Sequence, residues 1–410
     1  MLNMDPPVMP VVPATQERPR IAVERLMLTE FRSYARAELY PASRHVVFTG
    51  PNGAGKTNLL EAVSFLSPGR GLRGGKLSQA TRLGAARGWA VSARLETPEG
   101  QMDVGTGLIS RTGGASLAGP IEGGSEDGSE RPQDRRIVRI DGETVSSPAV
   151  LDDFIQVIWL TPQMDGLFIE AASARRRFLD KIVAGFHPGH SREVNAYERV
   201  MRDRNRLLAE GASDAGWLAA LEARMAEHGV AIAAARREAL DHLAGAIAAT
   251  SSSFPQAALA LEGELESALR DRPAVEVEEG FRDTLARMRP EDSRAGRTLS
   301  GPHRTDLKVR HAEKDMPAEL CSTGEQKALL LGLTLASARL TASHFGAAPL
   351  LLLDEVAAHL DERRRAALFD ELMAIGAQVW LTGTDRALFA ALGERACYYQ
   401  VDNGVITEET

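Results

Sequence analysis

The chain has 410 residues, 44% hydrophobic and 25% charged, the balance of an ordinary soluble globular protein with room for two or three domains. Its formal net charge of -8 excludes a global electrostatic attraction to nucleic acid, so any such surface must be local. Cys321 and Cys397 are far apart and lack metal-ligand spacing, which argues against a disulfide framework or zinc site, and no run approaches the roughly 18 uncharged apolar residues of a membrane span.

Residues 1–19 are rich in proline and have no apolar core like a signal peptide's; they read as a disordered leader on a cytoplasmic protein. Arg20 to Leu39 alternates apolar and polar residues, the pattern of an antiparallel hairpin at a sheet edge. His45 to Thr49 is an apolar run fit for a buried strand, and it feeds directly into Gly50-Pro51-Asn52-Gly53-Ala54-Gly55-Lys56-Thr57. Leu59, Leu60, Val63 and Leu66 then follow a helical period. Strand, glycine loop and helix form the setting that the G-x-x-x-x-G-K-[ST] phosphate loop requires.

Trp89 to Leu95, Gln101 to Leu108 and Ile137 to Ile140 read as further strands. Between the last two, residues 112–134 are dense in Gly, Ser, Glu and Pro and read as a disordered insertion. From about Ala171 to Arg289 the pattern is helical, most clearly over Glu198 to Glu210, Ala215 to Ser251 and Gly280 to Met288. Strand and helix signals return with Asp306 to His311, Gly324 to Thr341, Leu350 to Leu353, Glu362 to Ile375 and Gln378 to Thr382. A hairpin through Asn403-Gly404 closes the chain. The fold class is therefore α/β: a head built from residues 20–170 and 291–410, with a helical lobe over 171–290 inserted into it.

The glycine loop points backbone N–H groups at phosphate, and the helix that follows adds its positive dipole end. Asn52, Gly53, Ala54, Gly55, Lys56, Thr57 and Asn58 are expected to hold the nucleotide, with Lys56 on the β and γ phosphates and the Thr57 hydroxyl on magnesium. Four leucines precede Asp354-Glu355, and carboxylates at the end of a buried strand need a partner. Mg2+ on Asp354 would supply one, leaving Glu355 to polarise an attacking water as general base. In Ser322-Thr323-Gly324-Glu325-Gln326, Ser322 and the Gly324 N–H can bind phosphate oxygens, although the same residues also make a plain helix capping box.

Glycine loop, Ser-Thr-Gly-Glu-Gln and acidic strand, in that order, resemble the ATPases of the ABC class. The resemblance implies an ABC-type head (a P-loop NTPase) whose two copies sandwich ATP, the loop of one facing the signature of the other. His359-Leu360-Asp361 resembles the class's D-loop, and Thr384 stands at the place of the switch histidine, which this chain lacks. Gln163 is similar to the glutamine that senses metal and water, and Glu325 belongs to the signature.

A closer resemblance, from about Ile21 to Thr407 apart from the Gly/Ser-rich insertion, is to the RecF family of bacterial DNA replication and repair proteins. It rests on Leu28 to Tyr34, Gly50 to Glu61, Gly69 to Arg73, Arg175 to Asp180, Ser300 to Leu307 and Ser322 to Leu331. That family usually has an acidic residue where Gln163 stands. The resemblance implies that Arg32 and Ser33 touch nucleotide phosphate. It also implies a weak ATPase whose ATP-driven homodimer clamps duplex DNA near a gap or junction, working with RecO and RecR to load RecA in the response to DNA damage. Local arginine clusters are the candidate DNA contacts: Arg70, Arg73, Arg135, Arg136 and Arg139 on the head, then Arg175 to Arg177, and Arg199, Arg202, Arg204 and Arg206. The rival readings are a transporter ATPase subunit, a chromosome-maintenance head and a nucleotide switch without a DNA role. The first would carry an L-S-G-G-Q-like signature and a switch histidine; the second would carry a far longer coiled coil.

Overall fold

The computed structural model describes residues 20–41, 45–108, 135–211, 214–250 and 252–409. The leader expected over 1–19 and the insertion expected over 112–134 lie outside the described residues. The N-terminal part supplies β1 (Ala22–Phe31), β2 (Tyr34–Leu39), β3 (His45–Thr49), α1 (Lys56–Ser64), β4 (Ala90–Thr97), β5 (Gly100–Leu108), β6 (Arg136–Ile140), β7 (Glu143–Thr144) and β8 (Val157–Leu160). The middle supplies α2 (Ala172–Ala184), α3 (His190–Ala209), α4 (Ala215–Ala249), β9 (Ala257–Glu262), α5 (Glu264–Ala268), α6 (Ala274–Arg287) and α7 (Arg289–Ala295). The C-terminal part adds β10 (Asp306–His311), β11 (Met316–Pro317), α8 (Thr323–Phe345), β12 (Leu350–Leu353), α9 (Glu362–Ile375), β13 (Val379–Thr382), β14 (Ala396–Asp402) and β15 (Val405–Glu409).

Two six-stranded sheets form the head. One is antiparallel, in the order β2-β1-β4-β5-β6-β7, with the first hairpin at its edge. The other runs β15-β14-β3-β13-β12-β8; all its strands are parallel except β15. Every residue of β3, β12 and β13 is buried, as a central parallel strand covered on both faces requires. Alternation sorts them into two cores. Val46, Phe48, Leu350, Leu352 and Trp380 pack with α1 and the antiparallel sheet, while Val47, Leu351, Leu353, Val379 and Leu381 pack with α8 and α9. α1 therefore lies between the sheets.

α8 is long and apolar enough to cross a membrane, but 67% of its apolar window is buried and it is a core helix of the head. The lobe has its own core of Tyr197, Val200, Met225, Val230, Val277, Phe281 and Leu285. At 35 residues, α4 is a strut about 52 Å long. Met225 and Val230 sit in the lobe core, Ala239 and Leu243 in the head core. The middle segment is not helical throughout: β9 pairs antiparallel with β10, residue for residue from Glu262↔Asp306 to Ala257↔His311. β9 is Ala-Ala-Leu-Ala-Leu-Glu, and alanine gives alternation little contrast on the sequence.

Candidate nucleotide-binding site

β3, β13 and β12 lie side by side and parallel, in register from Phe48↔Thr382 and Leu353↔Leu381, so their carboxyl ends share one edge. Crevices at the carboxyl ends of parallel strands are where open α/β sheets bind ligands. β3 delivers the glycine loop, β12 delivers Asp354 and Glu355, and β13 ends on Thr382. The loop turns through positive φ at Gly50 (141°), Gly53 (81°) and Gly55 (116°). A β-carbon on Gly50 would stand 2.1 Å from the Val401 carbonyl oxygen, and one on Gly55 would stand 2.7 Å from the Tyr34 hydroxyl. Both positions require glycine. Nothing lies within 4 Å of a β-carbon placed on Gly53, so the mouth of the loop is open.

Lys56 is 4% exposed, and its ammonium donates to the carbonyls of Gly50 (2.7 Å) and Pro51 (2.9 Å). Burial pushes its pKa down, opposed by the carboxylates of Glu355 and Asp354. The Thr57 hydroxyl meets both Asp354 oxygens at 3.0 and 3.1 Å, and Thr382 donates to Asp354 Oδ1 at 2.7 Å. The same Thr382 oxygen accepts the Glu355 N–H at 2.9 Å. Glu355 has φ 54°, a left-handed conformation unusual outside glycine and characteristic of functional sites. Among the described residues its carboxylate has no hydrogen-bond or ion-pair partner; it lines a cleft with Thr161, Asp165, Lys327 and Leu331. The donor set fits a nucleotide with its divalent cation: an open cradle of N–H groups, one buried ammonium, and a hydroxyl and carboxylate already in contact.

The remaining expected residues are spread around this edge. Ser322 caps α8; its hydroxyl donates to Glu325 Oε2 at 2.8 Å and accepts the Glu325 N–H at 3.4 Å, so the capping box is real. Lys314 and Ser322 hold the Glu325 carboxyl down at about 2. Ser322 and Gly324 are exposed, and among the described residues no hydrogen bond joins them to the glycine loop. Asp361 caps α9 by accepting the Arg364 N–H at 2.8 Å and is exposed. Thr384 is exposed just beyond β13, and Gln163 is exposed on the turn after β8, the strand beside β12. Asn52 is exposed at the loop tip, while Ala54 is buried, its carbonyl bonded to the Gly404 N–H at 3.1 Å.

The β1–β2 turn reaches the same helix. Asn58 donates to Ser33 Oγ at 2.9 Å, and Arg32 forms a two-point pair with Glu61 at 2.8 and 2.6 Å. Glu61 is 1% exposed and also takes Arg73 at 2.6 Å. Arg73 is thus a strut for α1 rather than a free cation. Sequence reasoning missed both Glu61 and Thr382. Each stands within a segment already singled out, but only the fold shows that Glu61 faces two guanidinia and Thr382 faces Asp354.

Several arginines expected at a DNA surface are interior. Arg136 is buried and donates to the carbonyls of Phe65, Ser67 (3.0 Å) and Gly69 (2.9 Å), capping the end of α1 and the loop after it. Burial lowers its pKa to about 10. It cannot reach a nucleic acid from there. Arg204 is fully buried among Glu222, Asp292 and Thr298, and Arg175 is buried on Asp306. Arg70, Arg135 and Arg139 are exposed.

A family model described as "AAA domain, putative AbiEii toxin, Type IV TA system" matches residues 46–385. The chain is 52% identical to the DNA replication and repair protein RecF of Agrobacterium fabrum over 391 residues, 95% of this chain and 99% of that one. Its fold matches the solved structure of the recombination mediator protein RecF-ATP in the RecFOR pathway, with a TM-score of 0.80 at 19% identity, over 97% of this chain and 100% of the other. An Smc head domain from Pyrococcus furiosus, with an extended coiled coil, matches with a TM-score of 0.51 at 17% identity, over 95% and 96% of the two chains.

Proposed function

This chain belongs to the RecF family of DNA replication and repair proteins, and on that premise we propose that it is an ATP-driven DNA clamp. Two heads would close around ATP, grip duplex DNA near a single-strand gap or junction, and release it on slow hydrolysis. In the cytoplasm the clamp would support RecA loading together with RecO and RecR. The observation that carries the reading is the meeting of Lys56, Thr57, Asp354, Glu355 and Thr382 at one sheet edge.

Bound ATP with magnesium supplies the bond whose cleavage resets the clamp. Lys56 neutralises phosphate charge, and the loop N–H groups fix its position. Thr57 and Asp354 would hold the magnesium ion. Thr382 fixes the Asp354 carboxylate and the Glu355 backbone together, so Glu355 is held ready to accept a proton from water at its carboxylate. Ser322 and Gly324, exposed at the start of α8, face outward to complete the site of a second copy. The exposed Arg70, Arg135 and Arg139 make the first candidates for phosphate contacts, with little dependence on DNA sequence.

The chromosome-maintenance reading is less well supported. The lobe folds back on its own core, and its longest helix ends in the head. Fluorescence anisotropy of a labelled duplex tests the proposal: binding should require MgATP and disappear in Lys56→Ala. Equal binding by both proteins would refute it.

A further inference from the structure

Ionic pairing does not close at the junction between lobe and head. Arg175 holds Asp306 through two bonds of 2.7 and 2.9 Å, and Lys308 takes the same carboxylate at 3.0 Å. Arg236 is paired with Asp180 at 2.9 Å and Glu266 at 3.5 Å. Glu266 Oε2 is buried there without a hydrogen-bond partner, so the junction does not pair all its charges. Arg176, half-buried on α2, is left with only the Thr305 carbonyl, at 2.7 Å. Among the described residues no carboxylate lies within ion-pair range of it. Burial lowers its pKa, and the neighbouring Arg236 and Arg304 guanidinia lower it further, against Asp180 and Asp306. Arg304 precedes the accepting carbonyl in the chain, is exposed, and has no side-chain partner among the described residues.

Unlike Arg136, which is buried on three backbone carbonyls, Arg176 has one, and among the described residues its remaining N–H donors are free to take an anion. Arg176 is unpaired beside the ion-paired Arg175 and Arg236, and the exposed Arg304 adds a second positive charge next to it. The planar forks of Arg176 and Arg304 match the oxygens of phosphate. We propose that Arg176 and Arg304 bind a backbone phosphate of duplex DNA at the root of the lobe. This deepens the DNA-binding reading above and rests on it. In the chain, Thr305 leads into β10, then β11, then the N-terminus of α8 that carries Ser322.

The test uses the full chain with MgATP and a labelled duplex, titrated over a range of salt concentrations. Arg304 is exposed, so Arg304→Ala leaves packing untouched. It should weaken binding to all sequences alike and reduce the slope of log affinity against log salt by about 0.9. Adding Arg176→Ala should reduce the slope again, and Arg304→Lys should restore most of the slope. ATP-driven dimerisation, followed by sedimentation, should stay at the wild-type level in Arg304→Ala. An unchanged salt slope in the double variant overturns the site. Loss of dimerisation with the slope retained also overturns it, and would assign the arginines to a carboxylate of a second copy. If the wild type itself ignores duplex DNA, the broader DNA reading fails and this inference fails with it.

Discussion

Thr382 ends β13 at 0% exposure, with one oxygen serving two residues of the site. It donates to Asp354 at 2.7 Å and accepts the Glu355 N–H at 2.9 Å. Thr382→Val keeps the shape and removes both bonds. A hydrogen bond to a charged acceptor contributes about 1.5–3 kcal/mol, and an orphaned buried N–H costs about 1–3 kcal/mol. The added methyl recovers about 0.8 kcal/mol of apolar burial. The net loss should be about 2–5 kcal/mol. With a urea m-value of about 3 kcal/mol per molar, the unfolding midpoint should fall by about 1 M. Trp380 reports it well: it is buried two residues earlier on the same strand, its indole N–H on Gln378 at 3.1 Å. Hydrolysis should fall as well, because Glu355 loses its backbone anchor. Thr382→Ser keeps the hydroxyl and should lose no more than about 1 kcal/mol. A valine variant within about 0.5 kcal/mol of wild type would show that Asp354 and Glu355 do not depend on this oxygen.

Glu355→Gln should bind ATP normally but hydrolyse it about 100-fold or more slowly, prolonging the dimer and its DNA complex; equal turnover would remove Glu355 as the base. Ser322→Arg should leave ATP binding by a single head intact and abolish ATP-driven dimerisation, while loss of the cap lowers stability by about 1 kcal/mol; unimpaired dimerisation would mean that this helix start does not face a partner. Lys181 packs its ammonium 4.0 Å from the Trp159 ring centre, and burial depresses its pKa to about 8, opposed by Asp152. Above pH 8 the folded state loses this proton while the unfolded state keeps it up to its ordinary pKa, so stability from this group rises between pH 8 and 10.5. Lys181→Met should therefore be more stable than wild type at pH 7, by roughly 1–3 kcal/mol, with the difference shrinking across that window in paired urea melts. A difference independent of pH would contradict the assignment.

The strands that build the nucleotide edge were legible because burial on both faces leaves an unbroken apolar run. His45 to Thr49 and Leu350 to Leu353 match β3 and β12 residue for residue. Length and contrast hid the others: β8 has only four residues, with two buried ends and a half-buried middle, and β9 alternates mostly through alanine. Side-chain direction was the larger gap. Arg136 reads as one more basic residue beside Arg135 and Arg139, yet it turns inward to carbonyls some 70 residues earlier, an acceptor set no local pattern reveals. Likewise Arg175 and Arg176 are adjacent in sequence, but one closes a buried ion pair and the other does not.

Sedimentation velocity tests the central claim most directly, on wild type, Lys56→Ala, Ser322→Arg and an equal mixture of the two variants, with and without MgATP and gapped duplex. Wild type should be a monomer alone, a dimer with MgATP, and a DNA-bound dimer when duplex is added. Each variant should stay monomeric, and the mixture should regain part of the dimer, since one intact composite site forms between the two chains. A wild-type protein that stays monomeric with MgATP, or that binds duplex equally well without nucleotide, would contradict the clamp.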